Sequence, residues 1–198
     1  MKHIALLTTL LLSASLQAVE KPYDYVFFEN SLMKGDYFYS QAKYTSPSWI
    51  KNARHHLPVA GSVAFTPGNS LELTYVSAPG GDWYSEIQYC PVRGNDFFRE
   101  PSTLSMQVRL RESMNAAALP NIAIRYADST YTQYLNLRNY LKDTRPGVWH
   151  PVSIPLEDFG LNAVNDTNIK KLAAVALRPG TADGNEYTIY LDDICLLY

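Results

Sequence analysis

Long hydrophobic runs, cysteine, helical periodicity and surplus charge are all scarce in this chain of 198 residues, and each scarcity excludes something. Past residue 18, no apolar stretch approaches the roughly 18 residues that a membrane-spanning helix needs, so no span is expected there. There are two cysteines, Cys90 and Cys195, and their spacing is unlike that of a metal ribbon. An oxidising compartment would permit a disulfide between them; two separately buried thiols are the alternative. With 17 basic and 19 acidic residues the net charge is −2, which gives no electrostatic case for nucleic acid or an anionic membrane surface. Neutral partners fit better. Phosphate loops and nucleophile-elbow motifs are missing, as are internal repeats and low-complexity linkers. Helical signal is confined to Met114–Leu119, room for one turn before Pro120 stops it.

The first 18 residues read as a secretory signal peptide: Lys2 and His3, an apolar Ile4–Leu12, then small residues up to Ala18. A cut after Ala18 carries no lipid-anchor cysteine, so the expected location is periplasmic or extracellular. Residues 19–198 are expected to form one domain, long enough to bury roughly 70% of its unfolded surface without cross-links.

What the chain has in quantity is short runs of period two, separated by Pro, Gly, Asn and Asp clusters. Strands are expected at Tyr23–Phe28, Tyr37–Tyr44, Val63–Phe65, Ser70–Val76, Trp83–Tyr89, Leu104–Leu110, Asn121–Ala127, Tyr131–Leu137, Val148–Ile154, Leu172–Arg178 and Glu186–Leu196, with a loop over Lys51–Ala60. Strands without intervening helices exclude a parallel βαβ sheet and point to an all-β, two-sheet antiparallel jelly-roll sandwich. Tyrosine is the compositional outlier, at 15 residues. Half-buried strands cover most of that excess; the other reading is that some of the rings form a platform for a ligand.

Alternation sorts the side chains. Along Trp83–Tyr89, Tyr84, Glu86 and Gln88 share the outward side, a mixture of ring, carboxylate and amide suited to sugar. Gln107 and Arg109 on the next strand, with Arg125 and Arg178 further on, are expected to extend the same face. The plain alternative is the wet side of a sheet. Two or three rings covering about 50 Å² of sugar each, at about 25 cal/mol per Å², plus a few hydrogen bonds give a dissociation constant between about 10 μM and 1 mM.

Glycosidic hydrolysis needs paired carboxyl groups, and no strand here carries acids at alternate positions; Glu86 stands alone between Tyr84 and Gln88. Arg109 and Arg111 beside a tyrosine could imitate a lyase base set, but no histidine sits on a convincing strand beside them. His55-His56 reads as part of a solvated loop.

Several short motifs carry a family likeness. Gly147-Val148-Trp149, Val152-Ser153-Ile154-Pro155-Leu156 and Asp158-Phe159, the opening Phe27-Phe28-Glu29 and the closing Tyr187-Thr188-Ile189-Tyr190-Leu191-Asp192-Asp193-Ile194 resemble stretches of galactose-binding-like jelly-roll modules. Family 11 carbohydrate-binding modules and their relatives are the nearest group. The resemblance implies a non-catalytic module of an exported bacterial glycan-utilisation protein, holding a polysaccharide or oligosaccharide on a concave sheet face, with a catalytic glycan-degrading protein as a partner. A structural or adaptor domain is the second reading, and a polysaccharide lyase or glycoside hydrolase the third. The resemblance also implies a structural calcium at Glu29, Asp192 and Asp193. Adjacent strand residues point to opposite faces, so one of the two aspartates would ligate and the other would not; surface aspartates, or one accepting buried backbone hydrogen bonds, are the alternative.

Overall fold

In the computed structural model, residues 25–32, 34–90, 100–161 and 171–198 are described. The expected signal peptide lies outside them. Among the described residues no helix is long and apolar enough to cross a membrane.

Twelve strands make two antiparallel sheets: β1 (Tyr25–Phe28), β2 (Ser40–Thr45), β3 (Trp49–Ile50), β4 (Val59–Ala60), β5 (Ser70–Val76), β6 (Asp82–Gln88), β7 (Thr103–Leu110), β8 (Asn121–Tyr126), β9 (Leu135–Asn136), β10 (Trp149–Pro155), β11 (Leu172–Arg178) and β12 (Glu186–Leu197). One sheet has the order β10-β7-β12-β5-β3, with β1 also pairing β12 and β4 also pairing β5. The other has the order β2-β6-β11-β8-β9. The connection from β6 to β7 therefore changes sheet, as does the one from β7 to β8. This is the two-sheet all-β sandwich expected from the pattern.

Period-two alternation does the sorting. On β5, Leu71, Leu73 and Tyr75 are fully buried, and on β7 so are Leu104, Met106, Val108 and Leu110, give or take a per cent. Trp83 and Ile87 from β6 meet them from the opposite sheet, and the Trp83 indole donates to Ser77 Oγ at 2.9 Å. Truncating a ring so enclosed costs about 3–5 kcal/mol in cores of this kind. Pro151 and Pro155 sit on β10, an edge strand, where a missing N–H breaks no ladder. Phe159 closes the core from a short 3₁₀ turn, Leu156–Phe159.

Three local expectations differ. Val63–Phe65 is loop, because the backbone N–H groups of Phe65 and Thr66 turn to the Asp192 carboxylate at 2.8 and 3.1 Å instead of to a neighbouring strand. Of Tyr131–Leu137, only Leu135–Asn136 pairs as a strand. The Lys51–Ala60 loop ends in the short β4, and β3 ends just before it. Met114–Leu119 holds the single turn expected, Ala116–Ala118, capped by the Asn115 side chain at 3.0 Å. Cys90 and Cys195 are both buried and are not bridged to each other, the second of the two alternatives.

Candidate functional site

The outer face of the five-stranded sheet is floored by alanine. Strand register aligns Gln41, Glu86, Ala176 and Ala123 in one cross-strand row, and Gln88, Ala174 and Arg125 in the next. Ala123, Ala174 and Ala176 point outward, yet none is exposed. Long side chains from neighbouring strands lie down over them, which larger floor residues would prevent.

Glu86 is the centre of that layer. The residue is 2% exposed, and its carboxylate pairs with Arg125 Nε at 2.6 Å and accepts a hydrogen bond from the Tyr131 hydroxyl at 3.1 Å. The Arg125 contact is an ion pair rather than an aligned hydrogen bond, since Nε–H is not directed at the carboxylate; the guanidinium also donates from Nη1 to the Tyr126 carbonyl at 3.0 Å. The Tyr84 hydroxyl lies 3.4 Å from that of Tyr131. Burial above all, then hydrogen bonding to Glu86 and Tyr131, pushes the Tyr84 phenol well above its ordinary value, so it stays protonated and able to donate.

A second knot lies beside the first. Arg178, at the end of β11, donates from Nη1 to Asp82 Oδ2 at 3.0 Å and from Nε to the Tyr134 hydroxyl at 3.1 Å. Its guanidinium carbon sits 5.5 Å from the Tyr84 ring centre and 5.8 Å from that of Tyr134, within reach of both π-faces. Tyr131 and Tyr134 stack at 6.0 Å and 28°. These two rings ride on a loop folded back onto β8, with Thr132 N–H donating to the Ile124 carbonyl and Ile124 N–H donating to Thr132 Oγ1. The result is a preformed tyrosine layer over two ion pairs.

Of the residues expected on one sugar-facing surface, Tyr84, Glu86, Gln88, Arg125 and Arg178 do converge here. Gln107 and Arg109 do not. They lie on β7 in the other sheet, where Arg109 is flanked by Trp149 and Tyr190, and Gln107 by Pro151 and Asp192. The expectation failed because alternation tells inside from outside but not which sheet a strand joins, and β6 and β7 join different ones. Tyr131, Tyr134 and Asp82 were missed. Read as a strand, Tyr131–Leu137 would put Tyr131 and Tyr134 on opposite sides; as a loop, it puts both rings on one.

The acidic pair also departs from simple alternation. A bulge between Asp192 and Cys195, with Asp193 at φ +48°, turns both aspartates toward the same loop. Asp192 is fully buried and its oxygens accept N–H bonds from Phe65, Thr66 and Asp193. Asp193 accepts from Thr66 Oγ1 at 2.7 Å. Burial raises the Asp192 carboxyl to about 6, against the lowering effect of its three amide donors. The site is a desolvated carboxyl whose oxygens are held by backbone amides. It fits the calcium expected at Glu29, Asp192 and Asp193 poorly, because N–H donors already occupy the Asp192 oxygens a cation would need. Among the described residues no group of three or more His, Cys, Asp and Glu side chains gathers as a metal set.

Comparison with known proteins bears on this surface. A family model described as carbohydrate binding domain 30 matches residues 24–197. A crystal structure of a β-1,2-glucanase from Parabacteroides distasonis is 99% identical over 89% of this chain, with a TM-score of 0.86; the chain spans only 25% of that protein's length. A family 30 carbohydrate-binding module of a cellulosomal cellulase from Clostridium thermocellum shares the fold at a TM-score of 0.60 and 17% identity, covering 86% of this chain and 95% of its own. A family 11 module from the same organism, in complex with a β-1,3-1,4-mixed-linked tetrasaccharide, reaches 0.53 at 12% identity, covering 81% and 89%.

Proposed function

The chain belongs to the carbohydrate binding domain 30 family, and from that premise we propose that its tyrosine-covered face binds a neutral β-glucan, β-1,2-glucan foremost, on behalf of an exported enzyme that degrades it. The observation that carries this reading is the layer of Tyr84, Tyr131 and Tyr134 over Glu86–Arg125 and Asp82–Arg178, two carboxylate–guanidinium pairs closed within the layer. Paired charges leave hydrogen-bonding groups without a net field, which suits a polyol rather than an ion. The rings supply flat apolar surface for pyranose faces, each contributing about 1 kcal/mol for about 50 Å² covered. The choice of linkage is supported by near-identity to part of a β-1,2-glucanase. Holding the polymer is the module's task; hydrolysis belongs to another part of such an enzyme.

Affinity electrophoresis in gels containing β-1,2-glucan, mixed-linked β-glucan, xylan or pectin tests the proposal. Retardation in β-1,2-glucan, with a dissociation constant between about 10 μM and 1 mM, is the expected result. Free migration in every gel would sink it. Export through residues 1–18 is checked separately: the mature protein should begin at Val19 when recovered from the periplasm or medium.

A further inference from the structure

Where β6 begins and β11 stops, the tyrosine face runs into a cavity of about 450 Å³ lined by Gly80, Asp82, Asn121, Tyr134, Arg178 and Ala182, among others. Its size is within the range of small-ligand sites. Two loops, 78–81 and 179–182, frame it, and both are pinned. A Cβ on Gly81 would lie 2.2 Å from the backbone nitrogen of Ser48, and one on Gly180 would lie 2.2 Å from the Leu119 carbonyl oxygen, so only glycine lets these backbones approach. Thr181 N–H donates to the Ala117 carbonyl at 2.8 Å, Asn121 Nδ2 to the Pro179 carbonyl at 2.6 Å, and Ala78 N–H to Ser48 Oγ at 2.8 Å.

The polar groups inside are prearranged too. Asp82 and Tyr134 take two of the five N–H donors of Arg178. Carboxylate and guanidinium cancel, so the cavity favours a neutral ligand rich in hydroxyls. Asp82, Tyr134 and Arg178 belong both to this cavity and to the sugar-binding surface proposed above. A glycan lying along the rings toward Arg178 therefore enters a space bounded by the loops that follow the strand ends.

We propose that this cavity receives the terminal glucosyl residue of the chain, so that the module recognises glycan ends rather than only the middle of a polymer. The proposal rests on the reading of the tyrosine face as the glucan site. A terminal residue carries a neighbour on one side only and can be seated between two fixed loops, whereas an internal residue must let the chain leave again.

Isothermal titration of the full chain with linear β-1,2-gluco-oligosaccharides and with cyclic β-1,2-glucan of matched size, which has no ends, tests this. Linear ligand should bind about ten-fold more tightly, a difference well within what one seated residue supplies. Ala182→Trp, at an exposed position on the cavity wall, should bring the linear ligand down to the cyclic level while leaving cyclic binding and the melting temperature unchanged. Equal affinity of the wild-type chain for both ligands, or an unaltered linear-to-cyclic ratio in Ala182→Trp, would overturn end recognition and leave the tyrosine face standing. Binding of neither ligand would remove the face itself and this proposal with it.

Discussion

The two outer faces of the sandwich are made by the same alternation, yet they differ in kind. On the five-stranded face, alanines at the centre let Glu86, Arg125 and three tyrosines lie flat, and the Tyr131–Tyr134 loop folds back to complete the layer. On the seven-stranded face, register runs Trp149, Arg109, Tyr190 and Glu72 across four strands, with no such floor. Glu72 pairs instead with Lys51 at 2.6 Å, Arg109 Nε is buried without a hydrogen-bond partner among the described residues, and Phe65 packs edge-on to Trp149. Both faces are rich in aromatic and charged groups. Composition alone does not separate the two faces; the small residues beneath and the loop above do.

The sharpest way to break the comparison is to remove the centre of one face and its counterpart on the other. Glu86→Ala leaves Arg125 enclosed without its carboxylate, and unfolding in urea should show a loss of about 3 kcal/mol, the scale for stripping one partner from a buried pair. Glycan retention should vanish with it. Arg109→Ala should stay within about 0.5 kcal/mol of the wild type and keep full retention. Equal losses from both substitutions would erase the distinction between the faces.

Asp192 offers the next largest effect. Its folded carboxyl titrates at about 6, above the value of about 4 in an unfolded chain, so the folded state takes up the proton first. That contribution to stability is full below about pH 4 and is lost as pH rises through 6, amounting to about 2–3 kcal/mol. The difference between wild-type and Asp192→Asn unfolding free energies, followed from pH 7 to pH 4, should rise on acidification. A flat difference would mean that the carboxyl is not held in a desolvated setting.

Smaller still is Tyr134→Ala. It removes one ring and the hydroxyl that Arg178 bonds, and should weaken glucan binding about five- to thirty-fold, the worth of 1–2 kcal/mol, with little change in melting temperature. A loss of fold stability without loss of affinity would make the ring structural. Calcium should have the least effect: melting temperatures in calcium and in EDTA should coincide, and a rise of several degrees with calcium would restore a cation to the acidic pair.

The strands were legible in the sequence because alternation is a direct signature of one-sided burial: Ser70–Val76 and Leu172–Arg178 are found at those bounds. Which sheet each strand joins was not, because β6 and β7 read alike while facing opposite ways across the core. Bulges hide as well. Nothing in Leu191-Asp192-Asp193-Ile194 announces the extra residue that turns both acids to one loop, since the bulge is set by pairing with β7 far away in sequence. The site was half visible. Tyr84, Glu86 and Gln88 follow from one strand's period, but Tyr131 and Tyr134 reach the face through a loop whose anchors, Thr132 and Ile124, make no pattern of their own.

Each ionic partner in the tyrosine layer is closed onto its mate at 2.6 or 3.0 Å. Little field therefore reaches beyond the roughly 8 Å over which physiological salt screens charge. The proposed attachment of a glucan to this face then rests on ring contact and short hydrogen bonds, which dissolved ions barely touch. Such a grip should be the same in dilute and in saline surroundings, with salinity neither loosening the proposed hold on a neutral polymer nor drawing the face to charged ones.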